Sequence, residues 1–383
     1  MLTKNELHEA ISLGENRAME FKQSDVRIDS LASEIVALSN TQGGMVLLGV
    51  GDDGEIVGLS EDKNYEEWVM NIARNNVIPN VQLEYQPYDF DGMTVGCITV
   101  PRGPDKPYRT VKAQYLIRVG STNRIASQEE LLRLFQASGA FHFDATAVRG
   151  TSINNLHMSN IDSYFRRYNL EFGEESSNDQ RNMLINSDIM LETGELTVAG
   201  LLIFGINAIR YLPQAGISFA HFAGNAITDE LIDKQNIDGT LSYQVDTGVA
   251  LIKNNWRMPS KIVGTKREDL AFIYQDKVFR ELLTNAVVHR NYAIHGSRVR
   301  VFMFDDRIEF RSPGRLPNAI SIEKLKVGVS YGINPILVKF MENLRYIDHL
   351  GRGLPMVYYE ACQNERNIEF KEVGEEFWVT LER

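Results

Sequence analysis

The stretch that most constrains the fold of this chain begins at Glu34 and reads EIVALSNTQGGMVLLGVGDDGEIVGL. Its first apolar residues recur at three- and four-residue spacing, which predicts a helix. Gly43 and Gly44 tolerate the positive φ angles that end a helix. The apolar run from Met45 to Val50 follows and has the length of a buried strand. The stretch therefore predicts a helix, a glycine turn and a strand.

An acidic turn closes the same stretch. Asp52, Asp53 and Gly54 favour a tight turn, and the segment from Glu55 to Leu59 is predicted to return as the second strand of a hairpin. Such a hairpin places Asp52 and Asp53 at a strand end, which is a common position for functional carboxylates.

Length and composition indicate an ordinary globular protein of two or three domains. The chain has 383 residues, of which 43% are hydrophobic and 24% charged. Cys97 and Cys362 lie far apart without metal-ligand spacing, so neither a disulfide framework nor a zinc site is expected. No uncharged apolar run approaches the roughly 18 residues that a membrane span requires. We expect a cytoplasmic protein without a membrane partner.

One basic stretch stands out from an acidic chain. The formal net charge is −11, whereas phosphate binding requires Lys and Arg, so only a local patch could bind nucleic acid. Tyr108 and Tyr115 lie within this stretch, as a stacking surface would need, and Asp105 is its only acid. The alternative is a solvated strand pair with ordinary surface charges. The six basic residues are Arg102, Lys106, Arg109, Lys112, Arg118 and Arg124.

Helices and strands alternate irregularly through the first 140 residues, which predicts an α+β domain. Thr3 and Glu6 predict a capped first helix, and Glu20 to Lys22 a strand beside the one from Met45. The further predictions are helices at 64–75 and 128–137 and strands that include 95–100 and 115–119.

The middle of the chain has weaker patterns. Ile161 to Tyr168 predicts a helix, and the polar segment 174–182 predicts an exposed linker. The apolar run 196–205 predicts a buried strand or the start of a helix. A strand at 217–222 and a helix at 242–254 follow.

A strongly periodic helix is predicted from Asp276 to Arg290. At 100° per residue, Glu281, Asn285 and His289 lie within about 80° of one another, and apolar residues fill a separate arc. A hairpin with strands at 297–304 and 307–311 is predicted next. Two glycine sites follow, at Ser312 to Gly314 and at Gly351 to Gly353.

The motifs in the N-terminal part of the chain resemble one known family, and those in the C-terminal part resemble another. The segments ENRAMEFKQS at 15–24, NTQGG within the opening stretch and GSTNRIAS at 120–127 resemble the Schlafen AlbA-type domain, a nucleic-acid-binding module. The helix, hairpin and two glycine sites resemble the GHKL (histidine-kinase-like) ATPase fold, in its RecG-related C-terminal version.

The second resemblance implies a site for ATP. It assigns water activation to Glu281, magnesium binding to Asn285 and phosphate binding to the backbone at Gly351 and Gly353. The first glycine site contains Gly314. In this site Ser312 aligns with the aspartate that reads adenine in the family, and Leu316 replaces a further glycine. ATP binding is therefore predicted without fast hydrolysis. Under the alternative, Glu281, Asn285 and His289 only cross-link a structural domain.

The first resemblance also implies a ribonuclease alternative. Some Schlafen relatives cleave RNA with two glutamates of an E-x-x-x-x-E-F-K motif and one strand-end aspartate, which correspond here to Glu15, Glu20 and Asp52, or Asp53 in its place. Such carboxylates hold Mg²⁺ or Mn²⁺. The alternative is a structural role in which Glu20 pairs with Lys22 or Arg118.

Together the sequence predicts an α+β protein with three parts. These are a Schlafen AlbA-type nucleic-acid-binding domain at 1–140, an α/β connecting region at 141–264 and a GHKL-like α/β sandwich at 265–383. The predicted function is a nucleic-acid-binding regulator, for RNA or DNA, that binds a nucleotide and forms a homo-oligomer. A metal-dependent RNA endonuclease and a structural oligomer-forming module are the alternatives.

Overall fold

The computed structural model describes residues 3–256, 260–263, 266–269, 274–317, 322–329, 332–348 and 351–383. The chain forms two compact units, unit 1 with residues 1–141 and unit 2 with residues 142–383. Helices and strands occur in both units, which confirms the predicted α+β class. The predicted boundary between residues 264 and 265 lies outside the described residues. No helix among the described residues is long and apolar enough to cross a membrane.

Unit 1 contains four helices and eight strands among its described residues. In chain order the elements are α1 (Lys4–Ser12), β1 (Met19–Lys22), α2 (Ile28–Asn40), β2 (Gly44–Leu48), α3 (Tyr65–Asn75), β3 (Val77–Ile78), β4 (Glu84–Phe90), β5 (Met93–Val100), β6 (Arg109–Thr110), β7 (Leu116–Val119), β8 (Thr122–Ile125) and α4 (Gln128–Ala137).

The main sheet of unit 1 has the strand order β1-β2-β5-β4. β1 runs parallel to β2, with Glu20 opposite Val46, and this confirms the predicted pairing of the two strands. Helix α2 packs its apolar residues into a core with α3 and the sheet. The buried Asn40, the last residue of α2, donates to the carbonyls of Tyr108 and Leu116 at 2.8 Å each, which ties the basic stretch to this helix.

The predicted hairpin after β2 is wrong. Residues 55–59 form no strand, and a single bridge joins Val50 to Ile56. Gly49 and Gly58 both have positive φ, +90° and +82°, which turns the backbone out of the extended conformation that a ladder needs. The N–H groups of Val57 and Gly58 both donate to the Gly49 carbonyl instead.

Unit 2 continues with the larger set of elements. They are β9 (Ala147–Val148), α5 (Met158–Arg166), α6 (Ser177–Asn186), β10 (Leu196–Thr197), α7 (Val198–Phe204), β11 (Ile217–Ala223), β12 (Glu230–Ile237), α8 (Leu241–Asn255), β13 (Ser260–Val263), β14 (Lys266–Asp269), α9 (Asp276–Val288), β15 (Val299–Met303), β16 (Arg307–Pro313), α10 (Ile322–Lys326), α11 (Pro335–Asn343), α12 (Gly353–Gln363), β17 (Ile368–Val373) and β18 (Glu376–Glu382).

A six-stranded sheet with the order β12-β11-β15-β16-β18-β17 forms the centre of unit 2. β11 and β15 pair in parallel, with Phe219 opposite Val301. β15 and β16 form the predicted hairpin. One face of the sheet packs against α8, α9 and α12 in a single large core. The sheet takes β11 and β12 from the predicted connecting region and the other four strands from the predicted C-terminal domain, and that division stays a prediction.

The linker predicted at 174–182 is wrong. Residues Ser177–Asn186 form α6, whose first turn is capped by the side chain of Ser176, which accepts from the N–H of Asp179 at 3.2 Å. Half of the residues of this helix are exposed, four are partly exposed, and only Leu184 is buried. A polar, exposed helix with a single core residue has little apolar periodicity, so it resembles a loop in sequence.

Candidate functional site

Helix α9 presents a line of accessible residues along an otherwise buried face. From Glu281 to His289 every fourth residue is partly accessible, and the residues between them are buried. A four-residue step is slightly more than one helical turn, so Glu281, Asn285 and His289 follow one another along one side of the helix. The sequence predicted this convergence, and we refer to these three residues as the α9 line.

The α9 line faces a cavity. Its empty volume is about 1050 Å³, including the part that is open to solvent. Both glycine sites contribute to its walls through Ser312, Gly314, Gly351 and Gly353. The remaining wall is largely apolar. Its lining includes Leu282, Phe310, Leu316, Leu325, Val329, Ile333, Leu354 and Phe377.

Glu281 and Asn285 are joined by a hydrogen bond. The Asn285 Nδ2 donates to Glu281 Oε1 at 2.6 Å and to the Glu281 carbonyl at 2.8 Å. Burial raises the pKa of the Glu281 carboxyl, and the bond from Asn285 opposes this shift. Because the Asn285 amide nitrogen makes these bonds, the amide oxygen of Asn285 does not take part in the contact with Glu281.

The second glycine site lies against Glu281. A Cβ atom at Gly353 would overlap the Glu281 carboxylate, so only glycine allows this approach. Gly353 is the first residue of α12, and its N-cap, Arg352, makes no side-chain capping bond. Gly351 has a φ of +63° and packs closely on the backbone of Gly328. The start of a helix, with unbonded N–H groups, thus opens on the cavity beside a carboxylate.

The first glycine site packs against the other end of α9. Ser312 is buried, and its hydroxyl donates to the carbonyl of Ala286 at 2.7 Å. Because its proton is used in that bond, Ser312 offers the cavity an acceptor oxygen. Gly314 has a φ of +123°, and a Cβ atom there would press on Asn291.

These groups fit a magnesium nucleotide. Glu281 and Asn285 supply oxygen atoms, which Mg²⁺ prefers. At Gly353 the Glu281 carboxylate occupies the place that a side chain would fill, and this cradle holds the carboxylate at the start of α12, where the first backbone N–H groups have no partner within the helix. The bound ion would neutralise phosphate charge, and the apolar wall would cover a base. The positions assigned from the resemblance are therefore brought together around one cavity.

The carboxylates of unit 1 are arranged differently. Glu20 is buried and pairs with Arg118 Nη2 at 2.5 Å and with Lys22 Nζ. Arg118 also reaches Glu34 at 3.3 Å. Burial raises the pKa of Glu34, and the neighbouring charge of Glu20 adds to the increase. The sequence analysis gave, as an alternative, a structural role in which Glu20 pairs with Lys22 or Arg118. In the structure Glu20 pairs with both.

A metal ion does not fit this arrangement. Glu15 Oε1 accepts from the N–H of Phe21 at 2.9 Å, and Asp52 lies on an exposed turn. No group of three or more His, Cys, Asp or Glu residues that could hold a metal occurs in the described part of the chain.

The six basic residues do not form one surface. Lys106 and Arg118 are buried, with 5% and 2% of their surface exposed. Lys106 Nζ donates to the carbonyl of Thr41, and Arg118 donates to the carbonyls of Asn16 and Met19. The other four are at least partly exposed. They are Arg102, Arg109, Lys112 and Arg124.

Glu34 is the polar residue of this network that the sequence analysis did not identify. It lies in α2, where most of its neighbours are apolar and buried. A single acid on the buried side of a predicted helix is a detectable signal, because an unpaired charge there would be strongly unfavourable.

The fold and the cavity define the class of this protein as a two-unit α+β chain whose unit 2 contains a cavity lined by both glycine sites and by α9. Residues 15–127 match the family described as "Schlafen, AlbA_2", and residues 296–381 match the family described as "Putative ATP-dependent DNA helicase recG C-terminal". The chain therefore carries a Schlafen AlbA_2 domain followed by a RecG-related ATPase-like domain, as the resemblance predicted. The two domains indicate a nucleic-acid-related protein.

The solved structures that are similar to this chain include two structures from bacterial proteins. The crystal structure of the DIP2311 protein from Corynebacterium diphtheriae has 20% identity over 96% of this chain and 64% of that one, with a TM-score of 0.47. This chain thus spans less than two thirds of that protein's length. The N-terminal domain of a RecG-related protein from Nitrosomonas europaea has 22% identity over 33% of this chain and 92% of that one, with a TM-score of 0.25. No curated protein matches this chain.

Proposed function

We propose that this protein is a nucleic-acid-binding regulator that binds ATP with magnesium in the cavity beside α9. The observation that carries the nucleotide part is the α9 line, which lines one cavity together with the glycine cradle at Gly353. Phosphates would lie at the start of α12, next to Glu281 and Asn285. The base would lie against the apolar wall near Ser312.

In this proposal the protein binds ATP but does not hydrolyse it rapidly. The acceptor that Ser312 offers is neutral, and a neutral hydrogen bond is roughly half as strong as one to a carboxylate. Losing one charged hydrogen bond weakens affinity by roughly ten- to a hundredfold. We therefore expect ATP to bind only at high concentration.

Thermal denaturation with and without ligand tests the nucleotide site. Millimolar ATP with Mg²⁺ should raise the melting temperature, because a ligand that binds only the folded state stabilises it in proportion to ln(1 + [L]/Kd). Asn285→Ala should abolish the shift. Asn364→Ala is a matched control, because Asn364 Nδ2 also donates to the carbonyl four residues earlier, on Glu360. If calorimetry detects no heat of binding at millimolar Mg-ATP, the nucleotide part of the proposal is refuted.

Nucleic-acid binding is assigned to unit 1, and its exposed basic residues support this part. Lys112 and Arg124 are exposed, and in the described part of the chain they pair with Asp29 and with the partly exposed Glu130. Exposed pairs of this kind contribute little stability, so phosphate can replace the acid. The RNA endonuclease, the oligomer-forming module and the homo-oligomer stay predictions, since no contact in the described residues favours them.

A retention experiment separates binding from cleavage. The pure protein is mixed with labelled tRNA, single-stranded RNA and duplex DNA, each with manganese and with a chelator. Retention in both buffers, with intact nucleic acid, is the expected result. Cleavage that needs manganese would favour the endonuclease, and no retention of any of the three would contradict the nucleic-acid proposal.

A further inference from the structure

The third residue of the α9 line has no role in the site as proposed so far. His289 lines the cavity, and its imidazole makes no hydrogen bond or ion pair with the residues that the structure describes. Burial lowers the pKa of His289 to about 4, so the ring is neutral near pH 7. A neutral imidazole has one N–H donor and one acceptor nitrogen. Both are available to a molecule in the cavity.

His289 and Glu281 lie at different ends of the site. They are eight residues apart, and a rise of about 1.5 Å per residue separates them by about 12 Å along α9. Glu281 lies against the cradle at Gly353. A phosphate chain that begins at this cradle therefore leaves the nucleoside, and not the phosphates, at the level of His289.

The end of α9 is held firmly at this level. Asn334 is fully buried and donates to the carbonyls of Val288 and Arg290, on either side of His289, at 2.8 Å each. The backbone N–H of His289 donates to the Asn285 carbonyl. One turn earlier, the carbonyl of Ala286 accepts from the hydroxyl of Ser312. His289 and Ser312 are thus fixed on the same part of the cavity wall.

We propose that His289 is the residue that contacts the nucleoside of the bound nucleotide and supplies a donor and an acceptor to its polar edge. The inference rests on the proposed nucleotide site and adds a specificity-determining residue to it. His289 does not contact the phosphates, which separates its role from that of Asn285.

The test compares two ligands by calorimetry in the presence of magnesium, ATP and inorganic tripolyphosphate. His289→Leu keeps the approximate size and removes the polar atoms. This substitution should weaken the affinity for ATP about tenfold, as expected for lost hydrogen bonds, and leave the affinity for tripolyphosphate unchanged. His289→Gln restores a donor and an acceptor and should recover most of the affinity for ATP. Asn285→Ala should weaken both ligands.

An equal loss of ATP and tripolyphosphate affinity in His289→Leu would overturn the inference, and so would unchanged affinity for ATP. If that variant does not fold, imidazole NMR of the unaltered protein gives the answer. The His289 signal, assigned by its absence from His289→Gln, should shift with adenosine and not with tripolyphosphate. The reverse pattern would contradict the role. Failure of the unaltered protein to bind either ligand would instead refute the proposed nucleotide site.

Discussion

Arg118 is buried in unit 1, where its guanidinium pairs with Glu20 and Glu34. Arg118→Ala would leave two buried carboxylates with Lys22 as their remaining cation. Breaking a buried pair by removing one partner is strongly unfavourable, so we expect the free energy of unfolding to fall by about 3 kcal/mol or more. Urea denaturation measures the change.

Arg124 is the control for this prediction, because it belongs to the same strand pair, β7 and β8, and its side chain is exposed. Arg124→Ala should change the free energy of unfolding by less than about 1 kcal/mol. Equal effects of the two substitutions would mean that the network around Arg118 contributes little.

The burial of Arg118 could not be predicted from neighbouring residues. Its alternation within a strand was visible, but its partner Glu34 is 84 residues away in the sequence. Which face of a strand is inside depends on what packs there. The α9 line was predictable because its three members lie within nine residues of one helix, so helical periodicity alone sets their direction.

A second residue-scale prediction concerns the pKa of Glu281. Burial raises it, so the folded protein holds this proton more tightly than the unfolded chain does. The contribution to stability is therefore full below the unfolded pKa and is lost as the pH rises through the folded pKa. Glu281→Gln, which cannot ionise, should melt at a higher temperature than the unaltered protein at pH 7, and the difference should shrink towards pH 4.5. A difference that grows on acidification would show that the carboxylate is stabilised instead.

At the scale of elements, the close approach of α9 and α12 determines the shape of the cavity. Gly353→Ala would place a methyl group on the Glu281 carboxylate and force the two helices or the side chain to move. We expect the melting-temperature shift with Mg-ATP to disappear. Gly296→Ala is the matched control, since a Cβ atom there meets nothing within 4 Å. Retained stabilisation in Gly353→Ala would mean that phosphates do not use this cradle.

The strands and the turn that carry the partly or fully exposed basic residues give another element-scale prediction. Arg109→Ala, Lys112→Ala and Arg124→Ala together should weaken nucleic-acid binding and flatten its salt dependence, by about 0.9 in slope for each lost contact to duplex DNA. Filter binding over a range of salt concentrations measures both. The control removes the same charge from exposed positions of unit 2, with Arg166→Ala, Lys339→Ala and Lys371→Ala. A control that weakens binding as much would point to net charge instead of a surface.

Most elements with strong periodicity could be predicted, and the exceptions have physical reasons. The bounds of α4 are the predicted ones, residues 128–137, and a capping box at Ser127 begins this helix. The segment 55–59 has apolar residues typical of a strand, but the positive φ values of Gly49 and Gly58 depend on the neighbouring chain. α6 was missed because one buried residue is too few for a periodic pattern.

At the scale of the whole molecule, the two compact units differ in how their sheets are built. Unit 2 needs β11 and β12, which precede the segment that matches the ATPase-like family, to cover one edge of β15. A fragment of residues 142–383 should fold and respond to Mg-ATP. A fragment of residues 265–383 should aggregate, because the edge of β15 and the side of α9 that packs on α8 are exposed. Size-exclusion chromatography and circular dichroism compare the two, and a monomeric, cooperatively melting short fragment would contradict the prediction.

The order of strands in unit 2 also has a consequence during synthesis on the ribosome. The main sheet of unit 1 is complete once Val100 has been made, so this unit can begin to fold early. β11 and β12 emerge long before β15, which pairs with β11 in the middle of the sheet, and β18 is the last strand that the structure describes. The apolar faces of α7 and α8 therefore stay partly exposed until the C-terminal strands have been made. During this period of synthesis the nascent chain most needs a chaperone.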